Sequence, residues 1–340
     1  MEYRTLGGTG ITVSTYCLGT MMFGAWGNPD RDECTAMVDA ALDAGINFID
    51  TADVYAFGES EEILGAAIKG RRDDLVIATK FHNAMGDDPN MRGNSRRWIV
   101  RACEASLRRL GTDWIDLYQI HRPDPSTDLD ETLGALDDLV RSGKVRAIGT
   151  STFPAEVLVE AQWVATERRY VKPRTEQPPY SMLARGVERS VLPTCQRYGI
   201  GVLTWAPLNG GWLTGKYNEQ AAPPPSSRAD REPDHFDYGS SVHERKLALV
   251  DQLLGVARDA GVSLTHLAHA FVLAHPAVTS AIVGPRTLPQ LRDVLAGVDV
   301  VATPDVLDAI DAIVPPGTDV NPKDAGYDPP SITDPSTRRR

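Results

Sequence analysis

Four polar side chains that could together move a proton lie at or just after the ends of predicted strands: Asp50, Tyr55, Lys80 and His121. An isolated phenol has a pKa of about 10, and a nearby ammonium lowers that pKa by favouring the phenolate. We therefore expect Lys80 to lower the pKa of Tyr55, and Asp50 to hold Lys80 protonated, so that Tyr55 can donate a proton near neutral pH. His121 could hydrogen-bond a substrate carbonyl. This chemistry lacks an electron source, so it implies a redox cofactor.

The order of predicted elements explains how residues so far apart in the chain could meet. Eight short β-rich runs predict strands near 15–19 and over 46–50, 75–80, 115–121, 145–151, 175–177, 201–205 and 279–284. Helical patterns follow most of them, over 31–44, 59–69, 95–110, 129–142, 155–167, 187–198, 243–260 and 263–275. This alternation predicts an α/β fold, a closed (β/α)8 TIM barrel, whose active sites lie at the C-terminal ends of the strands.

Composition and charge narrow the function classes. The 340 residues suit one barrel domain over 1–315 with a polar C-terminal tail over 316–340, and residues 3–13 predict an N-terminal β-hairpin that could close the bottom of the barrel. A net charge of −11 argues against nucleic acid as a partner. The four scattered cysteines and the lack of an apolar leader or bilayer-length apolar run predict a cytoplasmic protein with no membrane partner. The Pro-rich stretch 221–240 predicts a long loop.

One long run resembles the hallmark segment of aldo-keto reductases. It is DAGINFIDTADVY at residues 43–55, followed by GESE at 58–61. Shorter matches follow in family order: LGTM at 18–21, ATK at 78–80, LYQIH at 117–121, IGTS at 148–151, WAPL at 205–208 and GKY at 215–217. The resemblance covers nearly the whole chain and points to a bacterial-type member related to the potassium-channel β-subunit-like branch.

This resemblance implies an NADP(H)-dependent oxidoreductase that reduces aldehydes or ketones, small-molecule carbonyl substrates, to alcohols. Asp50, Tyr55, Lys80 and His121 would be catalytic, with Tyr55 as the general acid. NADPH/NADP+ would be held at the barrel mouth by residues matching the family's cofactor positions: Gly19, Thr20, Met21, Asp50, Ser151, Gln177, Trp205, Ala206, Pro207, Leu208, Gly210, Lys216, Gly284, Arg286 and Gln290. Arg286 beside a helix start favours the 2′-phosphate, because guanidinium and helix N-terminal amides both attract anions.

Two positions depart from the family pattern, and one rival function stays open. Thr152 stands where an Asn commonly contacts the nicotinamide carboxamide, and Val294 where an Asn commonly contacts adenine. Trp26, Phe57 and Trp212 are candidates for the substrate pocket. No metal site is expected. The rival to a reductase is a cofactor-bound regulatory subunit with slow activity, since channel β-subunits resemble the same family. A homo-oligomer is compatible with either function.

Overall fold

Eight parallel strands close into one barrel in the computed structural model, which describes residues 1–217, 227–231, 236 and 240–338. The strands are β1 (Tyr3–Thr5), β2 (Thr12–Ser14), β3 (Tyr16–Gly19), β4 (Phe48–Asp50), β5 (Val76–Phe81), β6 (Ile115–Ile120), β7 (Val145–Ser151), β8 (Thr175–Gln177), β9 (Gly201–Thr204) and β10 (Val278–Val283). From β3 to β10 each strand pairs with the next, and β10 also pairs with β3. The predicted (β/α)8 TIM barrel is confirmed.

Helices surround the barrel and follow its strands. They are α1 (Arg31–Asp43), α2 (Glu59–Ala67), α3 (Arg96–Leu110), α4 (Leu129–Arg141), α5 (Ala155–Arg168), α6 (Val191–Tyr198), α7 (Arg228–Arg231), α8 (Ser241–Asp259), α9 (Leu264–Ala274), α10 (Leu288–Ala296), α11 (Pro304–Ile313) and α12 (Pro330–Thr333). Several helices begin after a residue whose side chain accepts a hydrogen bond from a backbone N–H of the first turn; Ser95, Asp128 and Ser263 are examples. The described residues include no helix with both the length and the apolarity to cross a bilayer.

One predicted helix is divided in the structure. The single helix expected over 187–198 is a short 3₁₀ turn, Gly186–Arg189, followed by α6. Ser190 between them has φ −144° and ψ −42°, a backbone conformation outside the helical region. The sequence pattern could not show this break because the apolar spacing continues across it.

The predicted N-terminal hairpin is present and covers one end of the barrel. β1 and β2 pair antiparallel, and the fully buried side chains of Leu6 and Val13 pack with interior residues such as Phe48 and Leu117. The turn approaches the barrel closely at Gly7, where a Cβ would lie 2.2 Å from the carbonyl oxygen of Arg174. The hairpin therefore fills the end of the barrel opposite the carboxyl ends of the strands.

The C-terminal segment predicted as a polar tail packs against the barrel. The Val320 amide donates to the Leu183 carbonyl at 2.9 Å, and Asp319 accepts from the Gly186 amide at 2.7 Å. Farther on, Asp324 accepts from the Lys246 ammonium of α8 at 2.7 Å. These contacts bring residues 323–328 to the same end of the barrel as the predicted site. Most of the predicted loop over 221–240 lies outside the described residues.

Candidate active site

A large cleft of about 1370 Å³ opens at the carboxyl ends of the barrel strands. Strand ends or the loops that follow them supply Gly19, Asp50, His121, Ser151 and Gln177 to its wall. Because the strands are parallel, residues from distant parts of the chain meet at this one rim. Such a volume accommodates a ligand larger than a simple aldehyde.

Asp50, Lys80 and Tyr55 form a hydrogen-bonded chain at the base of the cleft. The Lys80 ammonium donates to Asp50 Oδ1 at 2.5 Å and to the Thr51 carbonyl at 2.8 Å. Its third contact is with the Tyr55 hydroxyl at 3.3 Å. Lys80 is fully buried and lies beneath Tyr55, whereas Tyr55 and Asp50 line the cleft. The structure thus brings together three of the four predicted catalytic side chains in the predicted order.

The electrostatics of Asp50, Lys80 and Tyr55 correct the expectation that the pKa of Tyr55 is lowered. Burial lowers the pKa of Lys80, but Asp50 and Tyr55 together outweigh it, so the pKa of Lys80 is raised and the group is an ammonium. Burial raises the pKa of Tyr55 by more than the Lys80 charge lowers it, so the predicted net lowering is wrong. A fully desolvated phenolate is costly even beside one ammonium that already pairs with a carboxylate. Tyr55 is consequently held as a phenol, which is the form that donates a proton.

His121 is neutral and its tautomer is set by a neighbouring amide. Burial, with the positive charges of Lys80 and Arg122, holds the pKa of His121 well below its usual value. Asn83 Nδ2 lies 3.1 Å from His121 Nδ1, and an amide nitrogen can only donate, so Nδ1 accepts and Nε2 carries the proton. The His121 ring stands edge-on to the Tyr55 ring with centroids 5.9 Å apart. A carbonyl oxygen between these two rings would find two donors.

Two buried amides hold the second oxygen of Asp50. Gln177 Nε2 donates to Asp50 Oδ2 at 2.9 Å, and Gln119 Nε2 lies 3.2 Å from the same atom. Gln119 Oε1 in turn accepts from Gln177 at 3.3 Å. Both Asp50 oxygens are therefore satisfied by fixed donors, as a buried carboxylate requires. This fixes the carboxylate that faces Lys80.

The comparisons with known proteins agree with this geometry. A sequence model described as the aldo/keto reductase family matches residues 16–315. The chain belongs to the aldo/keto reductase family. It is 41% identical over 329 residues to an uncharacterized oxidoreductase, YrpG, of Bacillus subtilis, covering 93% of this chain and 96% of the relative. It is 38% identical to the aldo-keto reductase YhdN of the same organism, covering 86% and 87%.

Other relatives carry the name of a channel component. The chain is 40% identical over 324 residues to a probable voltage-gated potassium channel subunit beta of Arabidopsis thaliana, covering 92% of this chain and 97% of the relative. The recognition of the family and of its channel-subunit-like branch is confirmed.

Next to the Asp50–Lys80–Tyr55 hydrogen bonds, the structure groups two of the residues that the family resemblance assigns to the nicotinamide, Ser151 and Gln177. Ser151 donates to the Gln177 carbonyl at 2.9 Å, and the Gln177 amide nitrogen is engaged by Asp50. Gln177 Oε1 is thus left for a cleft ligand. Thr152, at the departure from the family pattern, does not line the cleft; its hydroxyl accepts from Arg122 at 3.0 Å.

Several residues that follow strand ends have left-handed backbones. Positive φ values occur at Ala56, Phe57, Thr152, Ala206 and Asn209, between 46° and 60°. Such conformations cost about 1–3 kcal/mol each for residues other than glycine and persist where the surroundings enforce them. Thr152 and Ala206 carry no local sign of this conformation, because threonine and alanine rarely adopt it. They lie at the same end of the barrel as the predicted site residues.

One part of the cleft is cationic. Lys216, Arg286 and Arg231 line it, and the described residues include no carboxylate within ion-pair distance of any of them. Partial burial and the charges of Arg286 and Arg231 lower the pKa of Lys216. Mutually repelling cations in a cleft suit a polyanionic ligand.

The helix start beside Arg286 differs from the expectation. The Leu288 amide donates to Glu33 at 3.1 Å, and the Arg286 amide donates to the Gln290 side chain at 2.8 Å. These two amides already have partners within the protein. They are therefore not available to a phosphate, and the predicted attraction for an anion here comes from the guanidinium of Arg286.

The remaining predicted cofactor positions divide into two groups. Most line the cleft: Gly19, Met21, Trp205, Ala206, Pro207, Leu208, Gly210, Gly284 and Gln290. Thr20 is fully buried and does not line the cleft. Its hydroxyl lies 2.8 Å from the Ser60 hydroxyl in the first turn of α2. The three candidate pocket aromatics, Trp26, Phe57 and Trp212, all line the cleft.

Several cleft residues were not singled out individually from the sequence. Asn83 and Arg122 follow strands β5 and β6 by two residues each, so their position past a strand end was an available signal. Asp324 and Gly326 come from the C-terminal segment; a Cβ on Gly326 would lie 2.7 Å from the Trp205 ring. Nothing local in a polar Pro-rich segment indicates that it will pack over a distant tryptophan.

Proposed function

We propose that this chain is an NADPH-dependent carbonyl reductase that converts an aldehyde or ketone to an alcohol, with Tyr55 as the general acid. The observation that carries the proposal is the Asp50–Lys80–Tyr55 chain beside neutral His121 at the cleft base. Membership in the aldo/keto reductase family supports an oxidoreductase. The cytoplasmic location and a homo-oligomer stay predictions.

The residues along the cleft fit a phosphorylated dinucleotide. Lys216, Arg286 and Arg231 would hold its phosphates, including a 2′-phosphate that distinguishes NADPH from NADH. Ser151 and Gln177 would contact the carboxamide, and Trp205 would stack against the ring. When bound, the reduced nicotinamide supplies the hydride that the protein itself cannot provide.

The protein's own groups would handle the carbonyl oxygen. Its two donors would be the Tyr55 hydroxyl and His121 Nε2–H, preorganised where negative charge develops. Tyr55 would transfer its proton to the oxygen, and the phenolate left behind would face the Lys80 ammonium at 3.3 Å. The raised pKa of Tyr55 keeps the proton in place until the oxygen becomes basic enough to take it.

The test is NADPH consumption with a panel of aldehydes and ketones, run in parallel with NADH. Tyr55→Phe should keep NADPH binding, measured by fluorescence titration, and lose about 10²–10⁴-fold in kcat. A Tyr55→Phe variant with near wild-type turnover would refute the assigned role. Equal use of NADH and NADPH would refute the cofactor preference.

A regulatory subunit is the second candidate, favoured by the similarity to relatives named as potassium channel β subunits. Such a protein would oxidise bound NADPH slowly in a single turnover and form a stable complex with a membrane protein. Multiple turnovers with simple aldehydes, at a rate independent of any partner, would decide for the reductase.

A further inference from the structure

Arg122 is a cation in the catalytic part of the cleft with most of its donors unused. It directly follows His121, and its side chain lines the same cleft. Nη1 donates to the His121 carbonyl at 2.7 Å and to the Thr152 hydroxyl at 3.0 Å. Nε and Nη2 have no hydrogen-bond partner among the described residues. These two nitrogens form the edge of the guanidinium that pairs with a carboxylate through two parallel bonds.

No carboxylate of the described residues lies within ion-pair distance of Arg122; Glu176 acts on it only at longer range, and the neighbouring carboxylates have other partners. Glu176 is fully buried and accepts from the Thr150 hydroxyl at 2.5 Å and the Phe153 amide at 3.0 Å. Asp50 is held by Lys80. Asp124 accepts from the Ser126 and Thr127 hydroxyls.

A half-buried guanidinium without a counterion is unfavourable unless a ligand supplies one. Burial lowers the pKa of Arg122, although a guanidinium stays protonated at any physiological pH. The position is fixed by the two Nη1 bonds, so the charge is held in place rather than free to turn toward bulk water. An anion in the cleft would complete its hydrogen bonding.

The location of Arg122 indicates which ligand carries that anion. Its guanidinium carbon lies 5.9 Å from the centre of the Trp205 ring, and its charge acts on both Tyr55 and His121. The cofactor's phosphates would be served by the separate cluster of Lys216, Arg286 and Arg231. An anion next to the reacting carbonyl therefore belongs to the substrate.

We propose that Arg122 binds a carboxylate on the substrate, so that the preferred substrates are short aldehydes or ketones that also bear a carboxylate. The proposal deepens the carbonyl reductase function and rests on it. A planar carboxylate fits the free Nε–Nη2 edge through two parallel hydrogen bonds.

The experiment compares an acid with its neutral ester. With NADPH saturating, kcat/KM is measured for 4-oxobutanoate and for methyl 4-oxobutanoate, and the acid-to-ester ratio is the readout. The wild-type chain should favour the acid. Arg122→Met, which keeps an unbranched stem against Trp205, should lower the ratio by about 10- to 100-fold, mainly through the KM of the acid. Because the ratio is taken within one protein, any effect of the variant on His121 or on the cofactor cancels.

Two further variants and one condition sharpen the result. Arg122→Lys keeps the charge without the paired donors and should lower the ratio less than Arg122→Met. Arg197→Met removes an exposed arginine of α6 and should leave the ratio at its wild-type value. In the wild-type chain, added salt should raise the KM of the acid and not that of the ester.

The outcomes separate the two proposals. An unchanged ratio in Arg122→Met, or a wild-type chain without preference for the acid, would overturn the role of Arg122 while leaving the reductase function standing. A larger gain for glyceraldehyde 3-phosphate over glyceraldehyde than for the acid over its ester would overturn the carboxylate assignment. No reduction of any aldehyde would overturn the reductase function itself, and this inference with it.

Discussion

Replacing Lys80 by Met tests the hydrogen-bonded Asp50–Lys80–Tyr55 group most directly. The change removes the ammonium 3.3 Å from the Tyr55 oxygen and keeps a side chain of similar length. With an effective dielectric constant of about 20, a phenolate and an ammonium at that separation attract by about 5 kcal/mol. The transition state, in which the proton is partly transferred, realises part of this attraction. Since 1.36 kcal/mol is about tenfold in rate, we expect kcat for reduction to fall by about 10²–10⁴-fold.

The same substitution leaves Asp50 buried without its cation, so stability must be separated from catalysis. Removing one member of a buried ion pair costs about 3–5 kcal/mol. The double variant Asp50→Asn, Lys80→Met removes both charges and should recover much of the free energy of unfolding, measured by denaturant titration, without recovering turnover. Lys69→Met, at an exposed lysine just after α2, is the matched control and should behave as wild type.

The pH profile supplies a second readout with a defined sign. Reduction requires the Tyr55 phenol, so its rate falls as pH rises through the pKa of Tyr55, which burial places above the ordinary value. Loss of the Lys80 charge removes the influence that lowers this pKa, so the alkaline fall should move to higher pH in Lys80→Met. A folded Lys80→Met variant whose kcat is within about threefold of wild type would show that the ammonium does not assist proton transfer.

Two other residues give independent tests. Asn83→Ala should lower kcat/KM by about 3- to 10-fold, the size of one neutral hydrogen bond. NMR of the His121 ring should show the Nδ1-protonated tautomer appearing. Asn90→Ala, in the exposed part of the same loop, is the control and should show neither change. Burial raises the pKa of Glu176 to about 7, so the folded state favours the protonated acid: its contribution to stability is present below the unfolded pKa and is lost as pH rises through about 7. Glu176→Gln should therefore flatten the decline of the melting temperature between about pH 5 and 8, where Glu176 accounts for up to about 3 kcal/mol of the free energy of unfolding. Glu156→Gln, on the exposed face of α5, is the control and should leave the decline unchanged. A decline that persists in Glu176→Gln would assign it to other groups.

Local pattern predicted the architecture and, at the strand ends, the candidate catalytic residues. Strand and helix periods, with the Gly that follows α3, were enough to place eight β/α units, because each signal lies within about fifteen consecutive residues. Asp50, Lys80 and His121 could be grouped because a parallel barrel brings its strand ends to one rim, whatever the sequence between them. Tyr55 could be added because it follows Asp50 by five residues, in the loop after that strand.

Only the tertiary structure decided how these groups behave. The pKa of Tyr55 depends on how much water the surrounding cleft excludes, and desolvation is a sum over neighbours from many elements. The tautomer of His121 depends on Asn83, 38 residues away, and the wall over Trp205 depends on Gly326 of the C-terminal segment. The unused edge of Arg122 is visible only once every nearby carboxylate has been assigned a partner. Such properties arise from contacts between distant residues, which leave no periodic trace in the chain.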